Sequence, residues 1–179
     1  MLKIVAFVGT VLVGIVALTV VIGFRLPERH VAARALALHR KPEDVFRLIS
    51  DVKSAPSWRS DVQEVELLAP GDGHVRYREK SAKGTITMEV VESNSPRRMA
   101  TKIADKSLPF GGTWIFDIAP DADGCQLTIT ERGEIYNPVF RFVSRFILGY
   151  DRTIDTYLRD VGRKFGEGAG PEKGAAGML

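Results

Sequence analysis

From Ile4 to Phe24 the chain carries no charged residue, which sets this run apart from everything that follows. Its 21 residues, in a helix that rises about 1.5 Å per residue, span about 30 Å, the thickness of a bilayer core. The pattern therefore predicts a transmembrane anchor within residues 1–25. A cleaved signal peptide is the competing expectation, but its apolar stretch usually runs about 7–15 residues and ends at a small-x-small site. Here the run is longer and leads into Gly23-Phe24-Arg25, which favours retention. Ala6, Thr10 and Gly14 recur at every fourth position. That spacing lets two helices approach closely, yet small residues are common in membrane helices, so the oligomeric state stays open. Lys3 precedes the run while Arg25, Arg29 and Arg34 follow it. By the positive-inside rule the domain is then expected on the cytoplasmic side.

Residues 26–29 form a short juncture. From His30 to His39 small and apolar residues alternate with larger groups, as in a strand. Pro42 suits a first helical turn and Glu43 and Asp44 suit its positive end, so a short helix is expected to run to about Asp51, with Val45, Phe46, Leu48 and Ile49 on one face. Pro56 leaves room for only a brief helical turn before Trp58. Between Val62 and Ile135 the period becomes two, with breaks at Gly71-Asp72-Gly73, Ala82-Lys83-Gly84, Asn94-Ser95-Pro96 and Asp121-Ala122-Asp123-Gly124. About six further strands are predicted. Ile86, Met88 and Val90 alternate with Thr85, Thr87 and Glu89, and Trp114, Phe116 and Ile118 with Thr113 and Asp117. One face is apolar and the other wet, as in an antiparallel sheet covered on one side. Asn137 and Pro138 then open a helical period through Val139, Val143, Phe146, Tyr150, Ile154, Tyr157, Val161 and Phe165 to Gly166. This reads as one amphipathic helix about 40 Å long. Gly149 within it costs about 1 kcal/mol relative to alanine and marks close packing or a bend. Residues 167–179 have no apolar period and are expected to be disordered.

Composition and charge add mostly exclusions. A net charge of +3 spread along the chain gives no basic stripe, so nucleic acid is not an expected partner. Cys125 is the sole cysteine and cannot form an internal disulfide. It shares strand parity with Leu127 and Ile129, which suits a small buried thiol. His30, His39 and His74 lack metal-site spacing and read as surface or strand-end residues, so no metal is expected. Gly71-Asp72-Gly73 reads as a hairpin turn rather than a phosphate loop, and no cofactor is expected.

Two carboxylates stand out. Alternation places Glu79 on the face of Val75 and Tyr77, and Glu131 on the face of Leu127 and Ile129. In an apolar pocket either would have a raised pKa and could act as a general acid or base. The alternative is a strand-end position or a pair with an arginine such as Arg132, Arg141 or Arg145, and it is the preferred reading.

Three stretches carry a family resemblance: Lys41-Pro42-Glu43-Asp44-Val45-Phe46 with Asp51 and Trp58 after it, Pro109-Phe110-Gly111-Gly112-Thr113-Trp114, and Thr130-Glu131-Arg132-Gly133-Glu134 leading to Asn137-Pro138. With the order of elements, they make residues 30–166 similar to the polyketide cyclase/dehydrase-like branch of the SRPBCC superfamily, the START-related helix-grip proteins. The resemblance implies an α+β fold in which a curved seven-stranded antiparallel sheet wraps a long C-terminal helix. It also implies a cavity between sheet and helix for a lipid, quinone, polyketide or other apolar molecule. Most of the large side chains are core on general grounds. Those expected to line the cavity are Trp58, Tyr77, Met88, Trp114 and Phe116 before the helix, and Phe146, Tyr150, Ile154 and Tyr157 on it. The expected function is membrane-tethered binding of an apolar ligand. A cyclase or dehydratase using Glu79 or Glu131, and a non-catalytic interaction module for another membrane protein, are the two alternatives, because fold alone does not decide activity.

Overall fold

The computed structural model describes residues 1–71, 73–168 and 170–173. The central residue of the Gly71-Asp72-Gly73 turn, the side chain of Ala6 and the tail at 174–179 lie outside the residues described. Helix α1 spans Leu2–Arg25, and within it Phe7–Arg25 has a mean hydropathy of 2.6 and is long and apolar enough to cross a membrane. Strand β1 (Arg29–Leu38) follows, then α2 (Pro42–Ser50) and a 3-10 turn at Val52–Ser57. Pro42 stands in the first turn of α2 with Glu43 and Asp44, and Val45, Phe46 and Ile49 are buried. Strands β2 (Glu64–Gly71), β3 (His74–Ser81), β4 (Gly84–Asn94), β5 (Arg98–Ile103), β6 (Phe110–Asp121) and β7 (Gly124–Ile135) meander through the expected turns.

All pairings are antiparallel and the sheet order is β2-β3-β4-β5-β6-β7-β1. The two-residue strand β8 (Glu172–Lys173) adds to the free edge of β1 through Arg34↔Lys173 and Ala35↔Glu172. Within the stretch after Gly166, Glu172 and Lys173 thus take a place in the sheet. Glu167 accepts a hydrogen bond from the His39 amide at 3.0 Å and approaches the Arg40 guanidinium, so polar contacts hold what lacks an apolar period.

The helical region differs more. Asn137 caps α3 (Pro138–Val143) by accepting a bond from the Phe140 amide, as its position suggests. The helix does not continue to Gly166. It widens into a π turn at Ser144–Leu148 and stops at Gly149, whose φ of 74° and ψ of 155° no α-helix can accommodate. Only α4 (Arg152–Phe165) lies on the core, and at 14 residues it is about 21 Å long, half the expected length. An unbroken apolar period conceals the break because it does not record what the apolar side of each half faces. Ile154, Tyr157, Leu158 and Val161 face the sheet, whereas Phe146, Ile147 and Leu148 are exposed.

The core lies between α4, α2 and the inner faces of β1, β5, β6 and β7. Leu36, Val45, Leu127, Ile129, Ile154, Leu158 and Val161 have almost no exposure there. Two polar ties fix α4. Arg34 on β1 donates to Asp151 at 2.8 Å and Asp155 at 3.0 Å. The buried Asp160 accepts from the Ser60 amide and hydroxyl and from Arg163.

Candidate functional site

Cross-strand register divides the inner face of the sheet into two ends. Arg29↔Glu134 and Phe110↔Ile135 mark the end where α1 joins β1, and Leu38↔Cys125 and Asp121↔Gly124 mark the other. At the far end, under α2 and α4, the interior is solid. Tyr157 packs edge-on against Trp58 and Trp114 at ring-centroid distances of 5.3 and 5.9 Å and lies 5.5 Å from Phe116. The space between sheet and helix is filled here. Two hollows of about 370 and 350 Å³ lie elsewhere, the first bordered by Arg40, Asp44, Arg47 and Phe165, the second by Ser57, Trp58, Arg59 and Arg163. Both have charged rims outside the sheet–helix space.

At the end near α1 the helix is absent and the inner face opens. Trp114 on β6 stands opposite Glu131 on β7, and Glu131 opposite Ala32 on β1. Two residues before Ala32 and on the same face, His30 places Nε2 3.4 Å from the Glu131 carboxylate. Its imidazole can lie there because Gly133 is its strand partner, and any side chain on Gly133 would run into that ring. Tyr150 covers His30 from above, the rings stacked at 3.9 Å and 15°. Tyr150 is in place because the chain restarts after Gly149 and Arg34 ties Asp151 down. Across the sheet from this polar group, Met88 pairs with Ile103, and these with Ile86 form a half-buried apolar floor.

Glu79 has a different setting. Its carboxylate accepts a bond of 2.6 Å from Arg59, which also holds Asp61 and lies over the Tyr157 ring at 5.0 Å. Burial raises the Glu79 pKa above the ordinary carboxylate range, and Arg59 partly opposes the rise. Burial likewise raises the Tyr77 and Tyr157 phenols, so both stay neutral. Burial, with Glu167 and Glu43 nearby, pushes the Cys125 thiol up to about 11, which suits an inert core residue.

A family model for polyketide cyclase/dehydrase and lipid-transport proteins matches residues 30–155. The chain belongs to that family. No curated protein is similar enough in sequence to match. Solved structures share the fold at low identity. A START superfamily protein from Mycobacterium smegmatis is 13% identical with a TM-score of 0.59, covering 76% of this chain and 97% of that one. A truncated norcoclaurine synthase from Thalictrum flavum is 10% identical with a TM-score of 0.62, covering 76% and 92%. The di-domain ARO/CYC protein of the steffimycin biosynthetic pathway is 14% identical with a TM-score of 0.58, covering 74% of this chain and 50% of that one.

Within this polyketide cyclase/dehydrase and lipid-transport domain, the residues expected to line a cavity separate into two groups. Trp58, Tyr77, Phe116, Ile154 and Tyr157 are buried in the solid part. Met88, Trp114 and Tyr150 are half-buried at the open end, and Phe146 is exposed beyond it. Of the two carboxylates, Glu79 is bound by an arginine, Arg59 and not Arg132, Arg141 or Arg145, and Glu131 faces a histidine. His30, expected at the surface or a strand end, instead joins Glu131 and Tyr150. The signal was present in β1, where His30 has the same parity as Leu36 and Leu38.

Proposed function

We propose that this chain is a membrane-tethered domain that takes an apolar small molecule into the open end of its inner face, with Glu131 and His30 receiving the polar part of the ligand. One observation carries the reading. The apolar inner faces of β4, β5 and β6 continue past the point where the helix breaks at Gly149, leaving Ile86, Met88, Ile103 and Trp114 only half-covered beside a polar pair. An apolar concavity with a few convergent polar groups is the usual form of a ligand site. Apolar ligands fit the family's description, which names lipid transport beside cyclase and dehydrase chemistry. The first test is saturable quenching of tryptophan emission by a quinone or polyaromatic probe added to the delipidated, full-length protein in detergent. Ile103→Trp, which fills the half-covered floor, is expected to weaken binding about tenfold, or 1.4 kcal/mol, with little change in the unfolding midpoint. Absence of saturable binding to the folded chain would overturn the reading.

The His30–Glu131 contact also favours a second reading, acid–base catalysis of the cyclase or dehydratase type. A carboxylate beside an imidazole at the mouth of an apolar site can move a proton to and from a bound carbonyl or hydroxyl compound. Turnover lost in Glu131→Gln with binding retained would select this alternative.

In this reading the tether is α1, and the basic residues that follow it favour a domain on the cytoplasmic side. Full-length protein is expected to remain in the membrane pellet after carbonate washing, with Met1 to Arg25 still attached by mass. A mature N-terminus near Phe24 would show a cleaved signal peptide instead.

A further inference from the structure

Helix α3, with Val139 and Phe140 exposed, packs beside the last turns of α1 and leads straight into the exposed Phe146, Ile147 and Leu148 of the π turn. Along α1, Val11 to Leu18 are exposed, but Thr19, Val20 and Ile22 are half-covered and Gly23 is buried. Helix α3 provides that cover, so closely that a side chain on Gly23 would run into the Pro138 carbonyl. Arg141 fixes the arrangement. It is buried and donates to the Gly23 and Leu26 carbonyls of the α1 end, to the Glu28 carboxylate at 2.6 Å, and to the Ile135 and Tyr136 carbonyls where β7 ends. Five bonds from one guanidinium join the apolar helix, the sheet and α3 at one point.

This junction sets a depth. Arg25 closes the apolar run, and Thr19 lies six residues before it, or about 9 Å along the helix axis. A segment packed on Thr19–Gly23 therefore lies at the depth occupied by helices embedded in a bilayer interface, about 5–10 Å below the headgroups. The composition fits. Val139, Phe140, Phe146, Ile147 and Leu148 are all exposed, Ile147 at 68%. A soluble surface seldom gathers such a patch without an occupant. Arg145 and Arg152 are exposed at its margin, with stems long enough to reach headgroup phosphates.

We propose that the Pro138–Leu148 segment is a second membrane contact, whose exposed apolar residues enter the interface of the bilayer that α1 spans. It rests on α1 being a membrane span. The π turn and Gly149 then have a purpose, because they separate this segment from α4, which stays on the sheet. The open end of the inner face, which lies at this same end of the sheet, faces the lipid. A ligand passes between bilayer and site without crossing bulk water.

The test uses the full chain in phosphatidylcholine–phosphatidylglycerol vesicles. In a Cys125→Ala background, an environment-sensitive fluorophore is attached at Val11→Cys in α1, Ile147→Cys in the π turn, or Ala122→Cys in the far hairpin, all exposed positions. Nitroxide-labelled lipids should quench the probes at 11 and 147 strongly and leave the one at 122 unchanged. Quenching at 11 but not at 147 would overturn the second contact while leaving the tether standing. A probe at 147 shielded from both lipid nitroxide and aqueous iodide would assign the face to a protein partner and also overturn it. No lipid quenching at 11 would remove the tether, and the inference with it.

Discussion

Arg59→Ala is expected to lower the unfolding free energy by about 3 kcal/mol, because removing one partner of a buried ion pair leaves the other uncompensated. Arg59 is the only cation bonded to Glu79 among the described residues, and it also covers Tyr157, the ring against which Trp58, Trp114 and Phe116 pack. The loss should depend on pH with a definite sign. Burial already holds the Glu79 pKa above its ordinary value, with Arg59 opposing the rise, so the variant raises it further. A carboxyl whose folded pKa is raised contributes stability below its unfolded pKa and loses it as pH rises through the folded value. The deficit of Arg59→Ala should therefore be smallest in acid and grow towards neutrality. Replacing both partners by leucine should recover part of the loss. Urea unfolding of the detergent-solubilised chain, followed by emission from Trp58 and Trp114, measures all three. A variant as stable as the parent at every pH would show that the pair is without structural weight.

The same pair shows what the sequence disclosed and what it withheld. Strand parity was enough to put Glu79, Glu131, Met88 and Trp114 on the inner face, because a period of two admits only two faces. It could not tell which carboxylate meets a cation. The partners Arg59 and His30 come from a turn after Trp58 and from the first strand, far away along the chain. The helical region shows the opposite limit. Pro138, Asn137 and Gly166 are legible as punctuation because capping is local chemistry. The expected single helix failed at Gly149, since a 3.6-residue period records that side chains are apolar and not what they are apolar towards. Gly149→Leu and Ile154→Trp, obvious ways to fill a cavity under a continuous helix, consequently lose their use. The first forces a side chain into positive φ and the second overfills a residue with no exposure.

Gly111 and Gly112 are adjacent in the Phe110-Gly111-Gly112-Thr113 stretch, yet their alanine variants are expected to behave very differently. Gly112 has a φ of 144°, and a methyl group there would sit 2.6 Å from the Arg132 carbonyl oxygen and 3.0 Å from the Gly133 Cα. Both are backbone atoms of β7 and neither can swing aside. Strain of about 1–3 kcal/mol for the backbone conformation is then joined by separation of the strands, so Gly112→Ala should cost about 3 kcal/mol or more. A methyl group on Gly111 would meet only the Tyr136 hydroxyl, the far end of an exposed side chain that can rotate away. Its variant should lie within about 1 kcal/mol of the parent. The consequences for the site differ in the same way. Gly112 pairs with Gly133, two residues from the Trp114↔Glu131 pair and against the strand partner of His30. Parting the strands there displaces the imidazole from both Glu131 and Tyr150. Gly112→Ala should therefore lose probe binding as well as stability, while Gly111→Ala retains both. Urea midpoints and probe titrations of the two variants, run side by side, check this, and equal behaviour would mean that the glycine pair does not support the site.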